Sequence, residues 1–292
     1  MLTFFADESI VNRGGAEDYD LSIYGGIVLD ESTFDELSQF IYKIKDKYVL
    51  PQELEIKWRF ESYWENMIKV RYLEKGITKK THPALYKSFK PDHAQLKNQI
   101  LEKVAASSAK IIIAIRPNKL LGASDEQKIE YSIGAIARKF EKLLQKTNDL
   151  GIILADELQK RINPKSVIDH QYILQLCCRG SGAIHFKHLI SIVPTINSSI
   201  SPIHQINDVL LGSVQYYILE FIRQLSDPTR NTDQAKAILS KITGNFLKAQ
   251  PGRFVINNGI LMYPPKVTRK NTAAGIFLNK LEKQLEKDFN LI

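Results

Sequence analysis

Apolar residues recur along this chain with two periods, and the alternation between them lays out the elements. Leu2 to Ala6 is a strand-length apolar run ending in Asp7-Glu8-Ser9, which predicts a strand over about 2–8. Leu21 to Leu29 predicts a second, interrupted by Gly25-Gly26, and glycine inside a strand marks a bulge or a close backbone approach. Asp30-Glu31-Ser32-Thr33 opens a helix. Acids suit its positive end, and Phe34, Leu37, Phe40, Ile41 and Ile44 repeat at helical spacing. Residues 93–108 predict a helix, followed by Ile111 to Ile115, whose unbroken apolar run fits a central strand covered on both faces. A helix over about 126–147, a strand from Gly151 to Asp156, a helix opening near Pro164 and a strand from Leu189 to Val193 follow. From His204 to Leu219 the chain is apolar nearly all round, as in a buried helix. A helix near 232–249, a short strand near 254–262 and a charged C-terminal helix complete the series. Strands alternating with helices, without repeats or a low-complexity linker, predict one α/β domain over residues 1–292.

Two stretches stand apart. Residues 51–92 are dense in charges and aromatics, and predict a partly helical elaboration, basic and aromatic at about 58–92. Residues from about 226 to 292 form a C-terminal helical and strand extension. With 44% apolar residues in 292, the chain can bury a sizeable core. No apolar run is long enough to span a membrane. Met1 leads straight into the first strand with no basic and apolar leader, so the expected setting is soluble and cytoplasmic. The two cysteines, Cys177 and Cys178, are adjacent, which is neither a zinc spacing nor a favoured disulfide, and they are expected to be buried thiols in a reducing compartment.

The charge is unevenly spread. Net charge is +8, yet residues 1–40 hold nine acids and one base, Arg13. The remainder therefore carries 39 bases against 23 acids. An acidic patch on a basic body suits a protein that holds a cation at one spot and a polyanion elsewhere; ordinary surface charge is the plainer account.

Four acids are the candidates for chemistry. Asp7 and Asp156 each end a strand in an Asp-Glu pair, and a buried carboxylate is costly unless something positive lies beside it. Asp208 lies in the first turn of the buried helix, with Gly212 and Gln215 following on the same side. It answers either the helix dipole or a shared cation. Glu55 lies in Glu53-Leu54-Glu55-Ile56-Lys57-Trp58, whose alternation puts Glu53, Glu55 and Lys57 on one side. That side is either a solvated strand face or a source of one ligand, Glu55, and one phosphate contact, Lys57. Together the four acids would suit Mg²⁺ or Mn²⁺, since Mg²⁺ takes oxygen ligands and two such ions about 4 Å apart can cleave a phosphodiester. Without metal they would repel one another and raise their own pKa values.

Phe-Ala-Asp-Glu-Ser at the start, the Gly-Gly strand, Glu-Ile-Lys-Trp, Leu-Ala-Asp-Glu and Gln-Ile-Asn-Asp-Val-Leu-Leu-Gly give the chain a resemblance to a known group. It resembles the bacterial domain-of-unknown-function family numbered 3800, over most of residues 1–225. The resemblance implies a ribonuclease-H-like mixed β-sheet flanked by helices and a suspected metal-dependent nuclease activity. It implies Asp7, Asp156 and Asp208 as metal ligands, with Glu55 and Lys57 as the middle element of the site. The residue before Asp208 is Asn207, where the family has a small side chain, and the stretch after Trp58 has no family counterpart. The implied partner is nucleic acid, DNA or RNA. A catalytically inactive module that binds nucleic acid or recruits a partner, and another metal-dependent phosphoester hydrolase or phosphotransferase, are alternatives on the same scaffold.

Other residues make weaker candidates than this set. His185 and His188 are three apart without a Cys or third His nearby, so they make a poor zinc site. His204 could assist proton transfer or touch a phosphate, and Arg116 could contact a phosphate or simply end its strand. Ser9 and Ser213 lack a His–acid partnership, and Arg179-Gly180-Ser181-Gly182 lacks the Lys-Ser/Thr of a nucleotide loop. Trp58, Phe60, Tyr63 and Trp64 are either core or a stacking platform for unpaired bases.

Overall fold

The computed structural model describes residues 1–11, 20–48, 50, 52, 54–59, 80–81, 83–117, 130–155, 185–194, 201–248, 259–263 and 272–289. Its sheet has six strands: β1 Leu2–Val11, β2 Leu21–Leu29, β3 Lys110–Pro117, β4 Gly151–Ala155, β5 Leu189–Pro194 and β6 Ile260–Met262. Their order is β5-β4-β1-β2-β3-β6. β2 runs antiparallel to β1 and β3, while β1–β4, β4–β5 and β3–β6 are parallel pairs. Among the described residues the flanking α-helices are α1 Glu31–Lys47, α2 Pro83–Ala105, α3 Ala135–Thr147, α4 Pro202–Ser226, α5 Asp233–Ser240 and α6 Ala273–Phe289. The chain is thus α/β, with helices on both faces of a mixed sheet. None of these helices is long and apolar enough to cross a membrane.

Two separate cores explain why the strands read as they do. On one face Phe5, Ile23, Ile27, Ile111, Ile113 and Ile115 pack with α1, α2, α4, α5 and α6. On the other, Phe4, Tyr24, Ile112, Ala114 and Ile153 pack with α3. β3 is covered on both sides, which is why its run is apolar throughout. Each fully buried isoleucine there contributes about 1.5–3 kcal/mol. The C-terminal extension is woven into the first core: β6 adds to the edge of β3, and Leu278 and Leu281 of α6 are buried.

Most element ends follow local chemistry. Asp30 caps α1 by accepting the Thr33 N–H at 2.8 Å. Asn148, with φ 55°, takes the left-handed conformation that stops α3. Ser201 caps α4 and Pro202 occupies its first turn, so the helix begins before His204. Other ends depart from expectation. α2 starts at Pro83 rather than 93, and a π-helical turn at Glu130–Gly134 precedes α3. The helix expected over 232–249 stops at Ser240. Beyond it the Asn245 amide donates to the carbonyls of Val104, Ser107 and Ala109 at 3.0, 3.3 and 3.1 Å, and Phe246 bridges to Ile111. These contacts hold the chain out of helix and along the sheet edge. Pro164, the Cys177-Cys178 pair and the Phe60, Tyr63 and Trp64 aromatics lie outside the described residues.

The paired glycines of β2 serve close approach rather than a bulge. Register runs unbroken through them, Ala6 opposite Gly26 and Asp7 opposite Gly25. A Cβ on Gly25 would lie 2.2 Å from the Ile112 carbonyl oxygen. A Cβ on Gly26 would lie 2.2 Å from the Phe5 carbonyl oxygen and 2.3 Å from Asn207 Oδ1. Asn207 of α4 therefore lies flat against β2 and donates to the Gly25 carbonyl at 3.3 Å. Gly26→Ala is expected to cost about 3 kcal/mol, seen as a lowered urea midpoint with an unchanged slope, because both the backbone angle and the helix seat are lost.

Candidate functional site

The Asp7-Glu8 pair divides between the two faces of the sheet. On β1, Phe5 and Val11 enter the core beside α4, and Phe4 and Ala6 enter the core beside α3. Alternation then gives Asp7 to the α4 side and Glu8 to the α3 side. Glu8 accepts the Ser22 hydroxyl at 2.9 Å and lies 3.9 Å from Arg116. Arg116 lies within β3 rather than beyond it, and burial lowers its pKa against the pull of Glu8. It belongs to the face opposite Asp7.

Asp208 sits in the second turn of α4, because the helix begins at Pro202. The dipole effect fades within the first turn, so it does not account for this acid. Gln205, Asp208, Gly212 and Gln215 line one side of α4, and that side receives residues 54–59. Leu54 and Ile56 are buried while Glu55 and Lys57 keep partial exposure, as the alternation predicts. The segment is not part of the sheet. Side chains take the place of a strand ladder: Gln205 Oε1 accepts the Ile56 N–H at 3.2 Å and Asp208 Oδ2 accepts the Trp58 N–H at 2.5 Å. From α2, His93 donates to the Lys57 carbonyl at 3.1 Å and Lys97 to the Trp58 carbonyl at 3.4 Å. Gly212 is needed for this docking, since a Cβ there would lie 2.1 Å from Trp58 Cγ. One turn on, Gln215 donates to the Ile10 carbonyl at 2.5 Å and accepts the Ser9 hydroxyl at 3.1 Å, tying α4 to β1 beyond Asp7.

Three acids act on one ammonium. Lys57 forms an ion pair with Glu55. Desolvation alone would lower the Lys57 pKa, but Asp208, Glu55 and Asp7 outweigh it and hold the ammonium above the usual lysine range. Asp208 moves upward too: burial raises its carboxyl and Glu55 adds to that, against Lys57, the Trp58 N–H and Arg59. So Asp7, Glu55, Lys57 and Asp208, drawn from three distant segments, form one electrostatic unit. Asp156 lies outside the described residues. β4 ends at Ala155, opposite Ala6, and Leu154 packs into the α4-side core as Phe5 does. Among the described residues no three His, Cys, Asp or Glu side chains form a metal-holding group. The donors of the unit are nonetheless hard oxygens gathered around a cation, the chemistry that Mg²⁺ and Mn²⁺ also satisfy.

The remaining candidates have other surroundings. His204 is buried, with its ring edge-on to Phe5 at 5.4 Å. His188 Nδ1 lies 3.4 Å from Glu141, a buried carboxylate that also accepts the backbone N–H groups of Lys187, His188 and Leu189. Sequence reasoning missed Gln205, His93 and Lys97. The available signal was a glutamine three residues before Asp208 on an otherwise apolar helix. No family model matches the chain, and no curated protein is significantly similar to it.

The electrostatics set a pH dependence. A carboxyl raised in the folded state favours folding at low pH, and that advantage fades as pH rises from about 3.9 through the folded value. Lys57 acts in the same sense at higher pH: while its acids stay ionised its contribution is complete below about 10.4, and it fades as pH rises through the raised folded value. Lys57→Met removes the cation that restrains Asp208. The variant should match wild-type stability near about pH 4 and fall about 2 kcal/mol below it near about pH 8, read from melting curves; the partial exposure of the pair keeps the figure at the low end for a buried ion pair.

Proposed function

We propose that this protein is a metal-dependent nuclease of ribonuclease-H-like fold, which hydrolyses phosphodiester bonds at the seam between β1 and α4. One arrangement carries this: Lys57 pairs with Glu55, Asp208 of α4 accepts the N–H of the next residue, Trp58, and Gln215 ties the same helix to β1 just beyond Asp7, so that acids from a strand, a loop segment and a helix converge on one ammonium. The mixed sheet with β2 alone reversed supports the fold assignment, and so does the neighbouring of β1 and β4, whose last pair is Ala6 with Ala155. Asp7 and Asp208 would hold the Mg²⁺ or Mn²⁺, with Asp156 and Glu55 completing its carboxylate set. When bound, the metal supplies an activated water and stabilises the leaving oxygen. Lys57 keeps Glu55 and Asp208 oriented and offers its positive charge to a phosphate oxygen. Gln205 and Gln215 fix the helix that carries Asp208, so the acid is held on a rigid support.

A second reading rests on the same ammonium. If Lys57 is the permanent partner of the three acids, the site is a structural hub in a module that binds nucleic acid without cutting it. Metal separates the two, because a resident ion raises the melting temperature by mass action and a structural hub does not respond.

Purified protein should cut DNA or RNA in Mg²⁺ and stop in EDTA. Asp7→Asn should lower the cutting rate at least about a thousandfold while melting within a few degrees of wild type. Cutting that survives Asp7→Asn in protein freed of contaminating nuclease would remove the proposal.

A further inference from the structure

Beside the acidic seam lies a cleft of about 470 Å³ between α2, α4 and α5, within the size range of small-ligand sites. We propose that this cleft receives one unpaired nucleotide of a single-stranded nucleic acid, next to the bond held at the acidic site; this rests on the nuclease reading above.

Its lining is in large part apolar, and within it Trp58, Arg59, Lys97, Asn98, Tyr216 and Gln234 carry the chemistry; none of the described lining residues is acidic. Next to the acids Asp7, Glu55 and Asp208, this neighbouring pocket has the opposite sign. The aromatic wall is fixed in place. Gly212 backs the Trp58 ring, Lys97 Nζ lies 4.0 Å from its centroid, and Tyr216 lies 6.2 Å away at 43°. A phosphate oxygen would meet Arg59 and Lys97. A base would meet the aromatic wall and find edge partners in Asn98 and Gln234. A duplex keeps its bases stacked inside, so only an unpaired or splayed nucleotide can enter a cleft of this kind.

Trp58 joins the two sites. Its backbone N–H holds Asp208 at 2.5 Å while its side chain lines the cleft. A strand with its phosphodiester at the acids therefore has an adjoining nucleotide within reach of the pocket. Occupying the pocket would press on the residue that orients Asp208, which couples substrate shape to the acid that the chemistry needs. The combination also sets the substrate class. A small phosphoester could reach the acids but would leave the cleft empty, whereas a strand fills both.

The test reads Trp58 fluorescence in a Trp64→Phe background, where it is the single tryptophan. The probe is a short single-stranded oligonucleotide of mixed sequence, titrated in EDTA so that it is not cut. The strand should quench Trp58 and bind about tenfold more weakly to Arg59→Glu, with Asn98→Ala also weakened, while Lys43→Glu on α1, an equal change of charge, binds as the parent does. Equal binding by Arg59→Glu and the parent would overturn the proposal, as would equal weakening by Lys43→Glu. A blunt duplex or a free mononucleotide that quenches as strongly as the strand would overturn the assignment to an unpaired strand. The two proposals fail separately. Strand binding sensitive to Arg59 without any cutting would leave the cleft standing and the nuclease reading fallen. Cutting that needs Asp7 but shows an unchanged KM in Arg59→Glu would do the reverse.

Discussion

Helix α4 is an apolar core helix that carries a narrow polar seam, and the backbone of three other segments depends on that seam. Gln205 and Asp208 accept the N–H groups of Ile56 and Trp58, Asn207 donates to the Gly25 carbonyl, and Gln215 donates to the Ile10 carbonyl. A buried N–H or carbonyl left without a partner costs about 1–3 kcal/mol. The seam therefore fixes the rotation of the helix and its height along β1 and β2 together. The glycines at positions 25, 26 and 212 are the complementary requirement, since each marks a point where a single Cβ would force the surfaces apart.

The same constraint explains how neighbouring acids come to differ. Asp7 and Glu8 are adjacent, but the strand turns them to opposite faces. Glu8 meets Ser22 and Arg116, a local arrangement within the sheet. Asp7 faces α4 and is felt by Lys57 together with Glu55 and Asp208. Lys57 reaches that place because residues 54–59 are held against α4 by side chains, with Leu54 and Ile56 buried in the core while Glu55 and Lys57 keep partial exposure. Had these residues joined the sheet as an ordinary strand, their N–H groups would have gone to a neighbouring strand and left Gln205 and Asp208 without them.

Period and punctuation in the sequence were enough to locate the strands, the buried helix and the alternation at Leu54-Glu55-Ile56-Lys57, because each of these follows from local burial. Gly25-Gly26 and Gly212 could be read as points of close approach, but not what approaches: Asn207 and Trp58 come from 181 and 154 residues away respectively. Asp208 lies a turn further into its helix than the apolar run suggests, because Ser201-Pro202 starts the helix ahead of His204. The early end of α5 was hidden because Asn245 binds carbonyls at the end of α2 and the start of β3, a contact that no window around residue 245 contains. The roles of His93 and Lys97 are hidden in the sequence for the same reason. Their partners are main-chain carbonyls, which carry no side-chain signature.

Charge arithmetic bears on how the proposed site would work. With all groups ionised, Asp7, Glu55 and Asp208 exceed Lys57 by two negative charges, and Glu55 adds to the burial that already holds the Asp208 carboxyl above its usual range. The rest of the chain is strongly basic, with 39 bases against 23 acids beyond residue 40. A polyanion would be drawn to that body and repelled at the seam. A divalent ion carries the charge that would cancel the excess, so on the proposed reading it would do two things at once: relieve the acids and remove the repulsion that a strand would meet at the seam. On that reading Lys57 would restrain the acids before an ion bound, so a permanent cation and an exchangeable one could belong to the same site without redundancy.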